Sequence, residues 1–266
     1  MSALTPLESE LSASPNYVMW YVHWGGAYSA YNPTDVQNVI THNETPVITW
    51  MSDDPTTTTN AYPLRQIAAG VFDSYVRSWA DALRSVRHRV LLRFDHEMNG
   101  SWSQWSTGVS AQIPADYVAA WRHVHDVFAA EGVTNVRWVW SPNVAYTGST
   151  PLQLLYPGDA YVDVAAIDGY NWGPVDLFHT WQSFSQVFSP TIAQVQAITH
   201  RPLMIGEVAC GTVGGDKAAW ITDFFATLHR TPAITGFIWF NANKEEDWRI
   251  DSSPATTAAF QAGLAS

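Results

Sequence analysis

The 266-residue sequence has few of the features that mark disulfide-bonded, membrane or nucleic-acid-binding proteins. Cys210 is the only cysteine, so no disulfide can form within the chain. No apolar run is long enough to span a bilayer. The sequence does not begin with a basic segment followed by an apolar run, so no signal peptide is expected in it. The 13 Lys and Arg against 24 Asp and Glu give a formal charge of -11, which repels phosphate backbones and anionic lipids. We therefore expect no nucleic-acid or membrane partner.

Aromatic residues, by contrast, are abundant, with 14 Trp, 11 Tyr and 11 Phe. Hydrophobic residues make up 47% of the chain and charged residues 14%, so the chain can bury a large core. Aromatic planes also pack against the apolar faces of sugar rings, whose hydroxyls need polar partners. The composition therefore fits a neutral sugar polymer as a partner, and it fits equally an aromatic-rich core.

Buried strands and amphipathic helices alternate along the sequence. The apolar runs that predict strands are Tyr17–His23, Pro46–Met51, Val90–Phe94, Val136–Trp140, Val162–Ile167, Pro202–Ile205 and Ile234–Phe240. Helical spacing is clearest in 72–86, in 114–128 after Pro114 and in 221–228. This alternation and the length predict an α/β fold, a (β/α)8 TIM barrel formed by residues 1–266 as a single domain. Because only seven strands are found and Thr5–Ser12 is helix-like, the first strand is expected to be missing or atypical.

The segment Arg93-Phe94-Asp95-His96-Glu97-Met98-Asn99-Gly100-Ser101-Trp102 places ionisable groups and an aromatic at the end of a buried strand. Active sites of barrel enzymes are built at that end. The segment does not fit a zinc protease, because Gly100 stands where the second histidine of that motif is needed. We expect no metal and no other cofactor. A purely structural ion pair between Glu97 and Arg93 is the alternative.

A second carboxylate follows the apolar strand Leu203-Met204-Ile205-Gly206-Glu207. A buried glutamate is unfavourable unless it is paired or has a function. Glycoside hydrolysis needs two carboxyl groups that flank the cleaved bond, one to protonate the leaving oxygen and one to attack the sugar. The sequence therefore predicts Glu97 and Glu207 as a catalytic pair.

Further side chains at the predicted strand ends are candidates for binding sugar. The aromatic candidates for stacking are Trp50, Trp102, Tyr170, Trp172 and Trp239, and the polar candidates are His23 and Arg93. A structural role for His23 is about equally consistent with the sequence.

These residues resemble glycoside hydrolase family 26, whose best-known members are endo-β-1,4-mannanases. The resemblance rests on the segment from His96 to Trp102, on Ile205-Gly206-Glu207, on Asp168-Gly169-Tyr170-Asn171 and on Trp239. It implies that Glu97 is the acid/base and Glu207 the nucleophile. It further implies that His96 binds in the subsite of the cleaved sugar, Tyr170 orients the nucleophile and Trp239 forms the floor beneath that sugar.

The resemblance implies a retaining endo-β-glycanase that hydrolyses a plant-type polysaccharide, foremost β-1,4-mannan, by double displacement. β-1,3-Xylan and mixed-linkage β-1,3/1,4-glucan are alternative substrates within the same family. An alternative of another class is a non-catalytic polysaccharide-binding barrel. Because such polymers lie outside cells, we expect a secreted protein, and we expect it to be a monomer.

Overall fold

A computed structural model describes residues 4–108, 112–175, 177 and 179–266. Seven strands occur in these residues, and they are neighbours in the sheet in chain order. Their bounds are β1 Tyr17–His23, β2 Thr45–Met51, β3 Val90–Phe94, β4 Val136–Trp140, β5 Val164–Asn171, β6 Leu203–Cys210 and β7 Ile234–Trp239. The strands from β1 to β5 pair in parallel, as do β6 and β7.

Helices separate most of the strands, as parallel pairing requires. Their bounds are α1 Leu4–Leu11, α2 Pro33–Thr41, α3 Leu64–Ala68, α4 Asp73–Arg84, α5 Pro114–Ala130, α6 Phe184–Ile198, α7 Lys217–Arg230 and α8 Pro254–Leu264. Two short 3-10 helices lie at Leu152–Leu154 and Ile250–Ser252. Within the described residues no helix is both long and apolar enough to cross a membrane.

The predicted alternation of strands and helices is confirmed. Three strands, β1, β3 and β4, have the predicted bounds, while β6 runs five residues beyond the predicted end at Ile205 and includes Glu207. The segment before β1 is helix α1, and the described part of the chain contains seven strands, as the sequence indicated. Helices α2, α3, α6 and α8 were not predicted, and α6 contains Pro190, a residue that usually ends a helix.

Local sequence signals explain the buried face of α4 and the beginnings of α5 and α8. In α4 the buried residues Val76, Trp79, Ala80 and Leu83 form the inward face. Pro114 lies in the first turn of α5, where its missing N–H costs no hydrogen bond. Ser253 caps α8 in a reciprocal capping box with Thr256.

The chain folds into two compact units. The first comprises the described residues of Asn16–Ala166 and Gln194–Arg201, and it contains β1 to β4 and α2 to α5. Its core includes a cluster of rings in which Trp50 contacts Trp24, Trp79 and Phe94. The prediction of one domain remains a prediction.

The second unit comprises the described residues of Met1–Pro15, Ile167–Ala193 and Pro202–Ser266. Phe224 and Phe225 of α7 contact Phe237 of β7, and Phe225 also contacts Phe260 of α8. Thr257 and Gln261 of α8 donate hydrogen bonds to Glu10 of α1 at 3.0 and 2.7 Å. The N-terminal helix is therefore joined to the C-terminal helix within this unit.

Candidate active site

Glu97 lies three residues beyond β3 on a backbone in the left-handed region, with φ 53°. Asp95 is also left-handed, with φ 45°. Each such residue other than glycine costs on the order of 1–3 kcal/mol, and the surrounding structure must hold it. The Glu97 N–H donates to the carbonyl of Ser141 at 2.7 Å, and the Glu97 carbonyl accepts from Gly100 at 3.0 Å. Backbone hydrogen bonds therefore fix the strained segment on both sides.

Both carboxylate oxygens of Glu97 accept a hydrogen bond from a side-chain N–H. Asn143 Nδ2 donates to Oε1 at 2.8 Å, and Trp102 Nε1 donates to Oε2 at 2.7 Å. Glu97 is 9% exposed, so most of its side chain is buried at the strand end. Gly100 allows this arrangement, because a Cβ there would lie 2.5 Å from the Trp102 ring. The spacing of glutamate, glycine and tryptophan in the sequence thus has a steric cause.

Trp102 is the most exposed ring beside Glu97. It is 53% exposed and lies beside Tyr146, which is 43% exposed, with ring centroids 6.1 Å apart and ring planes inclined by 26°. The turn that holds Tyr146 is closed by Ser149, whose Oγ donates to the Tyr146 carbonyl at 2.9 Å. Two exposed aromatic rings therefore lie side by side, and one of them, Trp102, is hydrogen-bonded to the carboxyl group.

Arg93 and Asp95 form polar structure beneath this surface. Arg93 is 1% exposed, and its Nε donates to Thr49 Oγ1 at 2.9 Å. Asp95 accepts from the Ser52 N–H at 2.7 Å and from the Ser52 hydroxyl at 2.6 Å. Burial raises the pKa of Asp95 well above its usual range, although the Ser52 hydrogen bonds act in the opposite direction. The predicted contact of Arg93 with sugar is therefore wrong, since its guanidinium is inaccessible.

The two histidines near this end of the strands remain accessible to different degrees. His23 Nδ1 lies 2.6 Å from Asp53 Oδ1, and the His23 side chain is 37% exposed. His96 is 9% exposed, and its ring lies 5.6 Å from that of Trp105. The Trp105 Nε1–H donates to the His96 carbonyl at 2.6 Å, which fixes the backbone next to Glu97. The binding roles predicted for His23 and His96 remain predictions.

In the second unit, Glu207 lies inside β6 and is 4% exposed. The hydroxyl of Tyr170, which belongs to β5, donates to Glu207 Oε2. The Tyr170 ring in turn contacts Trp248 at 5.1 Å, and Trp172 contacts Trp248 edge-on at 4.9 Å. The predicted pairing of Tyr170 with Glu207 is thus present.

The loop that carries Trp248 is held by two side-chain donors that make three hydrogen bonds to consecutive carbonyls. Lys217 Nζ donates to the carbonyls of Asp247 and Arg249 at 2.7 and 2.8 Å, and Trp239 Nε1 donates to that of Trp248 at 2.8 Å. Lys217 is 5% exposed, and burial lowers its pKa from 10.5 to about 8. The charged stretch before Trp248, which resembles a solvated loop in sequence, thus ends in a structured one.

Trp50, predicted as a stacking residue, is fully buried, with 0% exposure. Its ring contacts Trp24, Tyr75, Trp79 and Phe94. The predicted contact of Trp50 with sugar is therefore wrong, and the aromatic-core alternative applies.

Trp239, predicted as the floor of the sugar subsite, faces the helices instead. Its ring contacts Phe224 of α7 at 5.9 Å and Phe260 of α8 at 5.4 Å. The next residue, Phe240, points to the other side and contacts Tyr170 at 5.8 Å. Successive residues of a strand point to opposite faces, so the rings beside Tyr170 are Phe240 and Trp248. The role predicted for Trp239 beneath the sugar remains a prediction.

Two residues at the site were not predicted from the sequence: Asn143, which donates to Glu97, and Trp248, which contacts Tyr170. Asn143 lies three residues beyond β4, and no local motif links it to Glu97, which is 46 residues away. Trp248 follows the charged stretch that was interpreted as a solvated loop. A signal for Trp248 was available, because a large aromatic in a charged loop usually has a packing partner.

Burial limits the reactivity of Cys210, and the grouping of side chains limits where a metal ion could bind. Cys210 is fully buried, Asn171 Nδ2 donates to its sulfur at 3.3 Å, and burial raises the pKa of the thiol to about 12. Such a thiol is unreactive at neutral pH. Among the described residues, no three His, Cys, Asp or Glu side chains are grouped to hold a metal ion.

Alternating strands and helices that carry two glutamates, each accepting hydrogen bonds from ordered donors, define a candidate glycosidase. The chain belongs to glycosyl hydrolase family 26, since residues 29–241 match the sequence profile of that family. The predicted family is thereby confirmed.

Named relatives cover the chain to different extents. Endoglucanase H of Acetivibrio thermocellus is 34% identical over 99% of this chain, which corresponds to 29% of that protein. A mannan endo-1,4-beta-mannosidase of Bacillus subtilis is 29% identical over 68% of this chain and 46% of the relative. This chain therefore spans less than half the length of either relative.

Solved structures support the fold. An endo-beta-1,4-mannanase of Cellulomonas fimi, solved as a double mutant, aligns with 97% of this chain and 65% of its own, with a TM-score of 0.73 and 19% identity. The mannanase man26 of Bacillus subtilis aligns with 98% of this chain and 80% of its own, with a TM-score of 0.70 and 18% identity. The predicted (β/α)8-barrel fold class is confirmed, with seven strands in the described part of the chain.

Proposed function

We propose that this chain is a retaining endo-β-glycanase in which Glu97 is the acid/base and Glu207 the nucleophile. The observation that supports this most directly is the environment of Glu97, a nearly buried carboxyl group at a strand end with an N–H donor on each oxygen. Membership of glycosyl hydrolase family 26 agrees with it.

In the proposed reaction, protonated Glu97 gives its proton to the glycosidic oxygen while ionised Glu207 attacks the anomeric carbon. The bond to the leaving sugar breaks as the bond to Glu207 forms, which gives a covalent glycosyl-enzyme. Glu97, now ionised, then takes a proton from water, which displaces Glu207 and restores the β configuration. The Tyr170 hydroxyl, which donates to Oε2 of Glu207, orients the attacking carboxylate.

The leaving sugar is proposed to stack on Trp102 and Tyr146. Both rings are exposed, and Trp102 donates a hydrogen bond to Glu97, the carboxyl group proposed to protonate the leaving oxygen. Exposed aromatic planes suit the apolar faces of pyranose rings. Tyr146 is thus a binding candidate that the sequence did not indicate.

β-1,4-Mannan is the first proposed substrate. Several relatives are named mannan endo-1,4-beta-mannosidase, among them two Bacillus subtilis proteins that match 68% and 65% of this chain. A mixed-linkage β-glucan is the second candidate, and one observation favours it. The relative that matches 99% of the chain is named an endoglucanase.

The nucleophile is tested by chemical rescue. Glu207→Ala should reduce hydrolysis by several orders of magnitude, because the covalent intermediate cannot form. Azide should restore turnover of an activated aryl glycoside and give an α-glycosyl azide, because the small anion fills the space of the lost carboxylate. The product is identified by NMR spectroscopy.

Glu97→Ala serves as the matched control, since azide should there give a β-glycosyl azide from the intact intermediate. If Glu207→Ala retains activity without azide, Glu207 is not the nucleophile. An α-configured first product from the unaltered protein would contradict retention.

The substrate is tested by product analysis on mannan, β-1,3-xylan and mixed-linkage glucan. The proposed mannanase should release short manno-oligosaccharides and shorten the polymer early in the reaction. Activity confined to the glucan would establish the second candidate. Binding without release of reducing ends from any polymer would favour the non-catalytic alternative.

A further inference from the structure

The side chain of Asn143 connects the loop after β4 with the carboxyl group of Glu97. Its Nδ2 donates to Oε1 at 2.8 Å, while Trp102 donates to Oε2 at 2.7 Å. Two N–H donors on opposite oxygens determine the rotation of the carboxyl plane. Of the two donors, Trp102 belongs to an exposed ring, whereas Asn143 is half-buried.

Asn143 is itself held by Asn99, which is fully buried. The Asn99 Oδ1 accepts from the Asn143 N–H at 2.9 Å, and Asn99 Nδ2 donates to the Asn143 carbonyl at 2.9 Å. One amide side chain therefore binds both backbone groups of a single residue. Only a side chain with a donor and an acceptor side by side can do this.

The backbone at Asn99 is fixed as well, since its carbonyl accepts from the Thr150 N–H at 3.1 Å. Asn99 lies two residues after Glu97, so the same turn that carries the glutamate also holds its partner. Glu97, with φ 53°, cannot relax toward ordinary backbone without moving this turn. The pair Asn99 and Asn143 thus links the segments that follow β3 and β4.

We propose that Asn143 is the positioning residue of the acid/base and that Asn99 anchors it. This inference rests on the proposed function of Glu97. Asn143 keeps the carboxyl group turned so that one oxygen faces the leaving oxygen of the bound polymer. Its N–H also favours the ionised carboxylate, which is the form that activates water in the second step.

The test compares Asn143→Ala with Asn38→Ala, an asparagine replacement in helix α2 outside this network. Rates are measured on the polysaccharide and on an aryl glycoside with a 2,4-dinitrophenyl leaving group, which needs no protonation. We expect Asn143→Ala to lower kcat/KM on the polysaccharide about tenfold or more, in line with the weight of general acid catalysis. On the aryl glycoside kcat/KM should change less than about twofold.

The pH dependence of kcat/KM also tests the proposal, because it would not change if Asn143 had only a structural role. Loss of an N–H donor to the ionised form should shift the alkaline limb of kcat/KM to higher pH by about half a unit or more. Asn143→Asp keeps the shape of the side chain and adds a negative charge, so it should shift that limb further. Asn99→Asp, which keeps the acceptor and loses the donor, should give a smaller effect in the same direction.

Two outcomes overturn the inference. One is an equal loss of kcat/KM on both substrates, and the other is an unmoved alkaline limb in Asn143→Ala and Asn143→Asp at an unchanged melting temperature. Glu97→Ala separates this failure from that of the proposed function. If Glu97→Ala loses polysaccharide activity selectively while the Asn143 variants do not, only the positioning role fails. If Glu97→Ala cleaves the polysaccharide normally, the proposed function fails.

Discussion

At the residue scale, aromatic side chains with similar sequence contexts take opposite roles. In the sequence, Trp50 lies near the end of an apolar strand and Trp102 lies shortly after one. Trp50 is nevertheless 0% exposed, whereas Trp102 is 53% exposed. Trp50 lies within β2 with its ring in the core, whereas Trp102 lies beyond β3 in a turn that Gly100 permits. The role of a tryptophan thus depends on the direction in which it points.

This difference predicts the effect of Trp50→Phe. The smaller ring leaves a void in the core and loses the hydrogen bond from Trp50 Nε1 to the Tyr75 hydroxyl. We expect a loss of about 1–3 kcal/mol in the free energy of unfolding, with KM unchanged within about twofold. Urea unfolding and steady-state kinetics measure the two quantities.

Trp102→Phe is the matched variant. It should raise KM or lower kcat on the polysaccharide with little change in the free energy of unfolding, because the ring is exposed and its N–H contacts Glu97. If Trp50→Phe raised KM and left stability unaltered, the burial of Trp50 would be contradicted.

At the element scale, the segment after β7 depends on a lysine from the first turn of α7. Lys217 lies next to the N-cap Asp216, and its ammonium group donates to the carbonyls of Asp247 and Arg249. Between these carbonyls lies Trp248, the ring that contacts Tyr170. The position of the ring beside the candidate nucleophile's partner is therefore set by a buried cation.

The buried cation predicts a pH dependence of stability. The pKa of Lys217 is about 8 in the folded chain and 10.5 as the reference value. Between these pH values the unfolded chain holds a proton that the folded chain lacks, so the free energy of unfolding rises with pH. Relative to Lys217→Met, the unaltered protein should gain at most about 3 kcal/mol from pH 8 to 10.5, and nothing below pH 8.

Urea unfolding at several pH values measures this difference. Lys244→Met is the control, because Lys244 is exposed and should give a nearly constant difference across the same range. Parallel pH curves for the unaltered protein and Lys217→Met would contradict the lowered pKa of Lys217.

At the scale of the whole molecule, the formal charge of -11 bears on the kind of substrate. A neutral polymer interacts weakly with the negative electrostatic field of the protein, whereas a polymer with carboxylate groups is repelled by it at low salt. Raising the salt from 0.1 M to 1 M shortens the Debye length from about 10 Å to about 3 Å. We therefore expect KM for the proposed neutral glycan to change less than about twofold over this range.

Steady-state kinetics on the best polymer of the panel, at several salt concentrations, measures this effect. A KM that falls strongly as salt increases would indicate a negatively charged substrate and would contradict a neutral glycan.

The sequence by itself determined the alternation of strands and helices, and it singled out Glu97 and Glu207 as the predicted catalytic pair. Periodicity and capping signals are local, so β1, β3, β4 and the start of α5 could be read directly. The segment from His96 to Trp102 is also local, and its glycine is explained by one steric contact. These features need only neighbouring residues to be specified.

Only the tertiary structure decided which side chains surround the glutamates. Trp239 and Phe240 are adjacent, but they point to opposite faces of β7, and the packing of α7 and α8 selects the face of each. Asn143 reaches Glu97 from another loop because β3 and β4 are neighbours in the sheet. Such contacts join residues that are far apart in sequence, and no local pattern encodes them.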